Sequence, residues 1–171
     1  MSSPQVPAKD RRRFVILAHE RPDGDVHYDL LVESTDAADR ARGSAAEASG
    51  REPPEAAESA EAGPARRKSL CFTWSFAEPP AHRQQRCRRI FDHPGRFLTY
   101  EGPLREGRGR VRRYDAGTCL LEGHPAQDVV LALAGATVTG AFRLHRVSEA
   151  GPTDERADPP DEGEYLWQPL D

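Results

Sequence analysis

The chain has 171 residues, 37% of them apolar and 30% charged, with a formal net charge of −4. That length supports one domain with a real core, but the polar balance excludes a chain folded along all of its length. No apolar run approaches the roughly eighteen residues of a membrane helix, and the basic start MSSPQVPAKDRRR has no apolar stretch of a signal peptide behind it. Cys71, Cys87 and Cys119 are odd in number and form no CxxC, which argues against a disulfide framework or a zinc knuckle. A monomeric protein of the reducing cytoplasm, with no membrane partner, is expected.

Residues 1–12 read as a flexible basic arm ahead of a domain spanning 13–148. RFVILA, from Arg13 to Ala18, is a short β-branched apolar run and predicts the first strand. RPDGD supplies turn chemistry before DVHYDLLVE, the second strand. From 34 to 68 the chain turns to Ala, Glu, Ser, Gly and Pro without aromatic side chains, and a disordered insert is expected there. SLCFTWSF resumes the fold as a strand, and the prolines of EPPAH end it.

Between His82 and Arg113 stand ten arginines against three acids, while the insert and the tail EAGPTDERADPPDEGE hold compensating acids. This segregation points to an anionic ligand on the folded part despite the negative sum. GRVRRYD and GTCLLEG read as two strands joined by a turn at Asp115-Ala116-Gly117. AQDVVLALAG and ATVTGAFRLHRV form a further hairpin closed near Gly135, with Val138, Phe142 and Leu144 alternating against Thr139, Arg143 and His145. An acidic linker at 149–163 leads to a last strand at 164–171. Short strands, Gly-rich turns and no long amphipathic helix predict an all-β fold, a compact small barrel of about eight strands.

In the second strand His27 and Asp29 share one face, and Val26, Tyr28, Leu30 and Val32 the other. An imidazole and a carboxylate on one rigid element are two ligands for a divalent metal, with His19 able to arrive from the first strand. His93, in Asp92-His93-Pro94, is held extended by the following proline at a strand or loop boundary. Arg110 and Arg112 alternate on a strand and could clamp phosphate, as could Arg96. Gly107 and Gly109 mark a tight loop whose backbone can approach a ligand or another strand. His82, His124 and His145 carry no pattern.

RFVILAHE, HYDLLVE, TWSFAEPP, DHP and YEGPLREGRGRV followed by RYDAGT resemble, in that order, segments of the 3'-phosphoesterase domain of bacterial DNA ligase D. They look closer still to its short standalone relatives. The similarity covers residues 13–33, 70–80 and 90–122, and the insert has no counterpart. It implies a β-barrel enzyme, dependent on manganese or another divalent metal, that removes a 3'-phosphate or 3'-ribonucleotide from DNA primer ends during repair. By position His19, His27 and Asp29 match the metal ligands, and His93 the histidine that engages the scissile phosphate. DNA 3' ends or primer-templates, and a separately encoded ligase or polymerase, are the implied partners.

The sequence departs from that pattern at the phosphate clamp. The two histidines are spaced two residues wider than in the ligase-linked domain. Leu31 stands where that family has an arginine, Phe97 where it has a tyrosine, and Leu17, Ala18 and Glu78 where it has polar or lysine side chains. Each lost charged donor costs several kcal/mol of transition-state stabilisation. A slow enzyme, a degenerate relative that binds DNA ends or a repair partner, and an iron(II) oxygenase using HxD with a distal His93 or His145 are therefore the competing expectations. Restoring arginine at position 31 is expected to raise activity if the family mechanism holds.

Overall fold

The computed structural model describes residues 11–34, 70–147 and 163–170. Most of the expected arm, insert and acidic linker lies outside the described residues. The described chain forms β1 (Arg12–Glu20), β2 (Val26–Glu33), β3 (Leu70–Phe76), β4 (Gln85–Pro94), β5 (Gly102–Pro103), β6 (Arg110–His124), β7 (Asp128–Gly135), β8 (Thr139–Arg146) and β9 (Gly163–Leu170). Single 3-10 turns occur at Gly95–Leu98 and Arg105–Gly107. All pairings are antiparallel, in the order β1-β2-β3-β4-β9-β8-β7-β6, and β6 returns to β1. Eight strands thus close a barrel, as expected, and β5 adds to the rim of β6. Among the described residues no helix is long and apolar enough to cross a membrane.

Closure removes the sheet edges, and a barrel of this size is filled by its own side chains. Phe14, Ile16, Leu30, Val32, Trp74, Phe142 and Trp167 pack inside it. The Phe142 and Trp167 rings stack at 4.1 Å, and the Trp167 indole N–H donates to the Ala81 carbonyl at 2.9 Å. The loop after β3 is thereby tied across one end of the barrel. A second apolar cluster, Val15, Leu17, Leu31, Cys71, Leu98 and Val111, lies on the opposite face of β1, β2, β3 and β6. The 3-10 turn after β4 contributes Leu98 to it, so this part of the wall is covered on its outer side as well.

One expected turn does not exist. Asp115-Ala116-Gly117 lies inside β6, which runs unbroken from Arg110 to His124. The strand leaves β1 and joins β7 here, so it needs length rather than reversal. Gly117 serves close strand approach, since a Cβ there would collide with the Ala134 carbonyl oxygen. Asp115 turns inward, and its carboxylate accepts the backbone N–H groups of Ala116, Ala136, Thr137 and Val138 at 2.7 to 3.1 Å. A residue with strong turn chemistry thus holds a turn, but the one between β7 and β8.

All three cysteines are free and buried. Burial pushes the Cys71 and Cys119 thiols up to about 12 and raises that of Cys87 as well. Thiol reagents at mildly alkaline pH are expected to leave the native protein unmodified and to titrate three thiols after denaturation. Unfolded thiols lose their protons near 9.0, whereas the folded ones keep them. Stability should therefore fall as pH rises from about 9 towards 12, with thiolate absorbance appearing together with unfolding. Thiolate absorbance in the still-folded protein would contradict this.

Candidate metal centre

Cross-strand register places His19 opposite His27, and Leu17 opposite Asp29. Strand alternation then puts His19, His27 and Asp29 on the outer face with Leu17 and Leu31, away from Tyr28 and Leu30. The ligand atoms of the three residues all lie within 4.8 Å of one another. His19 Nδ1 is 3.0 Å from His27 Nε2, which is 3.3 Å from an Asp29 oxygen. Two ligands of one cation with bonds of about 2.1 Å lie about 3.0 Å apart in octahedral and 3.4 Å apart in tetrahedral geometry, so these separations need little adjustment.

The surroundings set the protons. His19 Nε2 lies 2.9 Å from the Arg108 carbonyl, an acceptor only, so Nε2 carries the hydrogen and Nδ1 presents its lone pair to His27. A backbone carbonyl behind a histidine is the support that metal-ligating imidazoles commonly receive. Arg108 reaches this position because Gly109, at φ +100°, has no Cβ to strike the Glu20 carbonyl. Gly109 of this glycine loop thus serves approach to another strand. Burial pushes the Asp29 carboxyl up, but hydrogen bonds from His27 and Ser75, together with electrostatic attraction to the two neighbouring imidazoles, more than offset it. Asp29 therefore stays ionised although it is buried, and its second oxygen has no hydrogen-bond partner. Two imidazole nitrogens and an under-satisfied buried carboxylate fit a divalent cation of the manganese or zinc type.

His93 lies on the same outer face, at the end of β4 and opposite Cys71. Its Nδ1 donates to the Phe91 carbonyl at 3.0 Å, which leaves Nε2 as the open nitrogen. Burial lowers its pKa, while Asp29, the Phe91 carbonyl and Asp92 work to raise it. The net direction is downward, so the imidazole is neutral at neutral pH. Phe97 meets the His93 ring edge-on at 5.6 Å, and Tyr100 meets Phe97 at 5.9 Å.

The expected phosphate contacts are scattered by the fold. Arg96 is exposed, with its guanidinium 5.2 Å from the ring centre of Phe97, the residue that meets His93 edge-on. Arg110 and Arg112 flank Val111, which belongs to the outer cluster, so they project from the other side of β6. That is the side of Tyr28 and Tyr114, whose rings meet at 5.4 Å, and it is not the side of His19. Arg88 has no distinguishing signal among the arginines of the sequence, yet register aligns it with Leu17, Asp29 and Ser75 in one outer row. Only strand pairing separates it from its neighbours along the chain.

Leu31 shares the face of Asp29 but is fully buried among Val15, Leu17, Cys71, Leu98 and Val111. The expectation that arginine there would raise activity is thereby revised. A guanidinium at this position would be enclosed by apolar side chains. Leu31→Arg should destabilise the fold by about 3 kcal/mol or more, measurable by urea unfolding, and should give no gain in activity. A scan against models of known protein families finds none that matches this chain, and no curated protein matches it.

Proposed function

We infer that this protein is a divalent-metal-dependent phosphoesterase acting on the 3' ends of DNA. The observation that carries the reading is the convergence of His19, His27 and Asp29 on one outer patch, with the His19 tautomer set by the Arg108 carbonyl. A cation held by these three residues supplies Lewis-acid polarisation of a phosphoryl oxygen. Asp29, kept ionised, provides the negative charge that such a cation requires. His93 is neutral, with Nδ1 committed to the Phe91 carbonyl, so Nε2 is the atom that takes or returns a proton at the phosphate. Arg88 and Arg96 are two of the cations on this face suited to the phosphate oxygens, a third, Arg113, being paired with Glu101. The ordered resemblance to the phosphoesterase domain of DNA ligase D supplies the substrate class. We place the reaction in a reducing cytoplasm, in keeping with three free thiols.

The test is release of phosphate from a 3'-phosphorylated primer-template with added manganese. Manganese-dependent release, lost in His93→Ala, is the expected result. A second reading, a DNA-end binder without turnover, draws on Leu31 in its apolar cluster and on Arg110 and Arg112 across the wall. Tight DNA binding by the wild type with no phosphate released would select that reading and sink the first.

A further inference from the structure

We propose that Phe91 is a stacking platform for the base of the terminal nucleotide, forming a nucleobase subsite beside His93. The proposal rests on the phosphoesterase reading and adds to it a substrate class, namely strands whose 3'-terminal base is unpaired or frayed.

Phe91 is 61% exposed, more than any other large apolar side chain among the described residues. Its ring lies parallel to the His93 ring, with centroids 4.9 Å apart and planes 6° from coplanar. The Phe91 carbonyl also accepts the His93 Nδ1 proton at 3.0 Å. Phe97 closes the His93 ring edge-on. A flat apolar face is thus presented to solvent in one fixed orientation, while its other face is taken by the imidazole.

This placement follows from an irregularity in β4. Cys87 packs into the barrel, and Arg89 lies over the Phe72 and Trp74 rings at 5.6 and 5.2 Å. Strict alternation would continue inward with Phe91 and His93. Instead the register slips between the partners of Cys71 and Thr73, and His93 comes out opposite Cys71 on the outer face with Phe91 against it. The ring therefore stands outside a core that would otherwise have buried it.

The chemistry of the occupant follows from its neighbour. A 3'-phosphate engaged by His93 is one sugar away from its own base, and Phe91 is the side chain stacked on His93. Stacking of a base on an aromatic side chain is worth about 1–3 kcal/mol and tolerates any base, because every base has a π-face. A paired terminal base already stacks within its duplex, so the subsite favours an unpaired one.

The experiment uses the full chain and two 3'-phosphorylated strands that differ only in whether the unpaired terminal nucleotide carries adenine or is abasic. Affinity is read by fluorescence anisotropy, turnover by phosphate release with manganese, and stacking by quenching of a terminal 2-aminopurine. Phe91→Ala should weaken binding and raise KM for the adenine-ended strand by about tenfold, with kcat nearly unchanged and the abasic strand unaffected. Phe91→Trp should restore affinity and quenching. Equal loss on both strands would mean that Phe91 only positions His93, and no loss on either would mean that the ring is idle; both overturn the proposal. If the wild type releases no phosphate yet still prefers the adenine-ended strand through Phe91, the subsite stands and the phosphoesterase reading falls. If it releases phosphate with equal KM for both strands, the phosphoesterase reading stands and the subsite falls.

Discussion

Asp29→Ala is expected to abolish manganese binding and phosphate release without unfolding the protein. The carboxylate is buried and held ionised by hydrogen bonds from His27 and Ser75, while its second oxygen has no hydrogen-bond partner. Removing it leaves the His27 and Ser75 donors without their acceptor, at a cost of about 1–3 kcal/mol. The metal-free variant should therefore unfold at a lower urea concentration than the wild type, but still in one cooperative transition. The wild type, with manganese at about a hundred times its dissociation constant, should gain about 2.7 kcal/mol, and Asp29→Ala should gain nothing. Loss of the anionic ligand should lower metal affinity by more than about a hundredfold, since even a supporting residue behind a ligand is commonly worth 10–100-fold. A variant that still gains stability on adding manganese would show that Asp29 is not a ligand. One that unfolds without metal would show that the residue serves the fold instead.

Asp115→Ala should produce a large loss of stability, and it lies away from the metal centre. Its carboxylate takes one N–H from its own strand and three from the turn between β7 and β8. It is buried, and the turn donors have no ready replacement. Each buried donor left unpaired costs about 1–3 kcal/mol, and water entering the gap recovers part of that. A loss of about 3 kcal/mol is expected, lowering Tm by at least about 10 °C in a barrel of this size. Asp115→Asn keeps one acceptor oxygen and should lose roughly half as much. Calorimetry of the two variants checks the ordering. Equal Tm values for wild type and Asp115→Ala would show that the turn holds itself through the Gly135 and Val138 backbone pair and the Thr139 hydroxyl.

These two aspartates differ in how far the sequence reveals them. Asp29 is legible because HYD sits in a strand whose period is two, so its partition from Tyr28 and Leu30 follows from local geometry alone. Asp115 is misleading because Asp-Ala-Gly is turn chemistry, while its real role depends on a turn some twenty residues later. β4 carries no clear strand signal, since its arginines obscure the alternation and one of them, Arg89, is buried and paired with Asp92. The strand nevertheless sits in the middle of the closed order, between β3 and β9.

By itself the sequence determined the all-β class, the faces of β2, the hairpin of β7 and β8, and which three residues could share a metal. Those features depend on periods and turns within short windows. Only the tertiary structure decided the rest. Pairing of β1 with β6 closed the barrel, placed His19 against the Arg108 carbonyl, and put Arg110 and Arg112 on the far side of the wall. The slip in β4 brought His93 and Phe91 to the outer face. A shift of one residue reverses every side chain beyond it, and the partner strand that imposes the shift is distant in sequence.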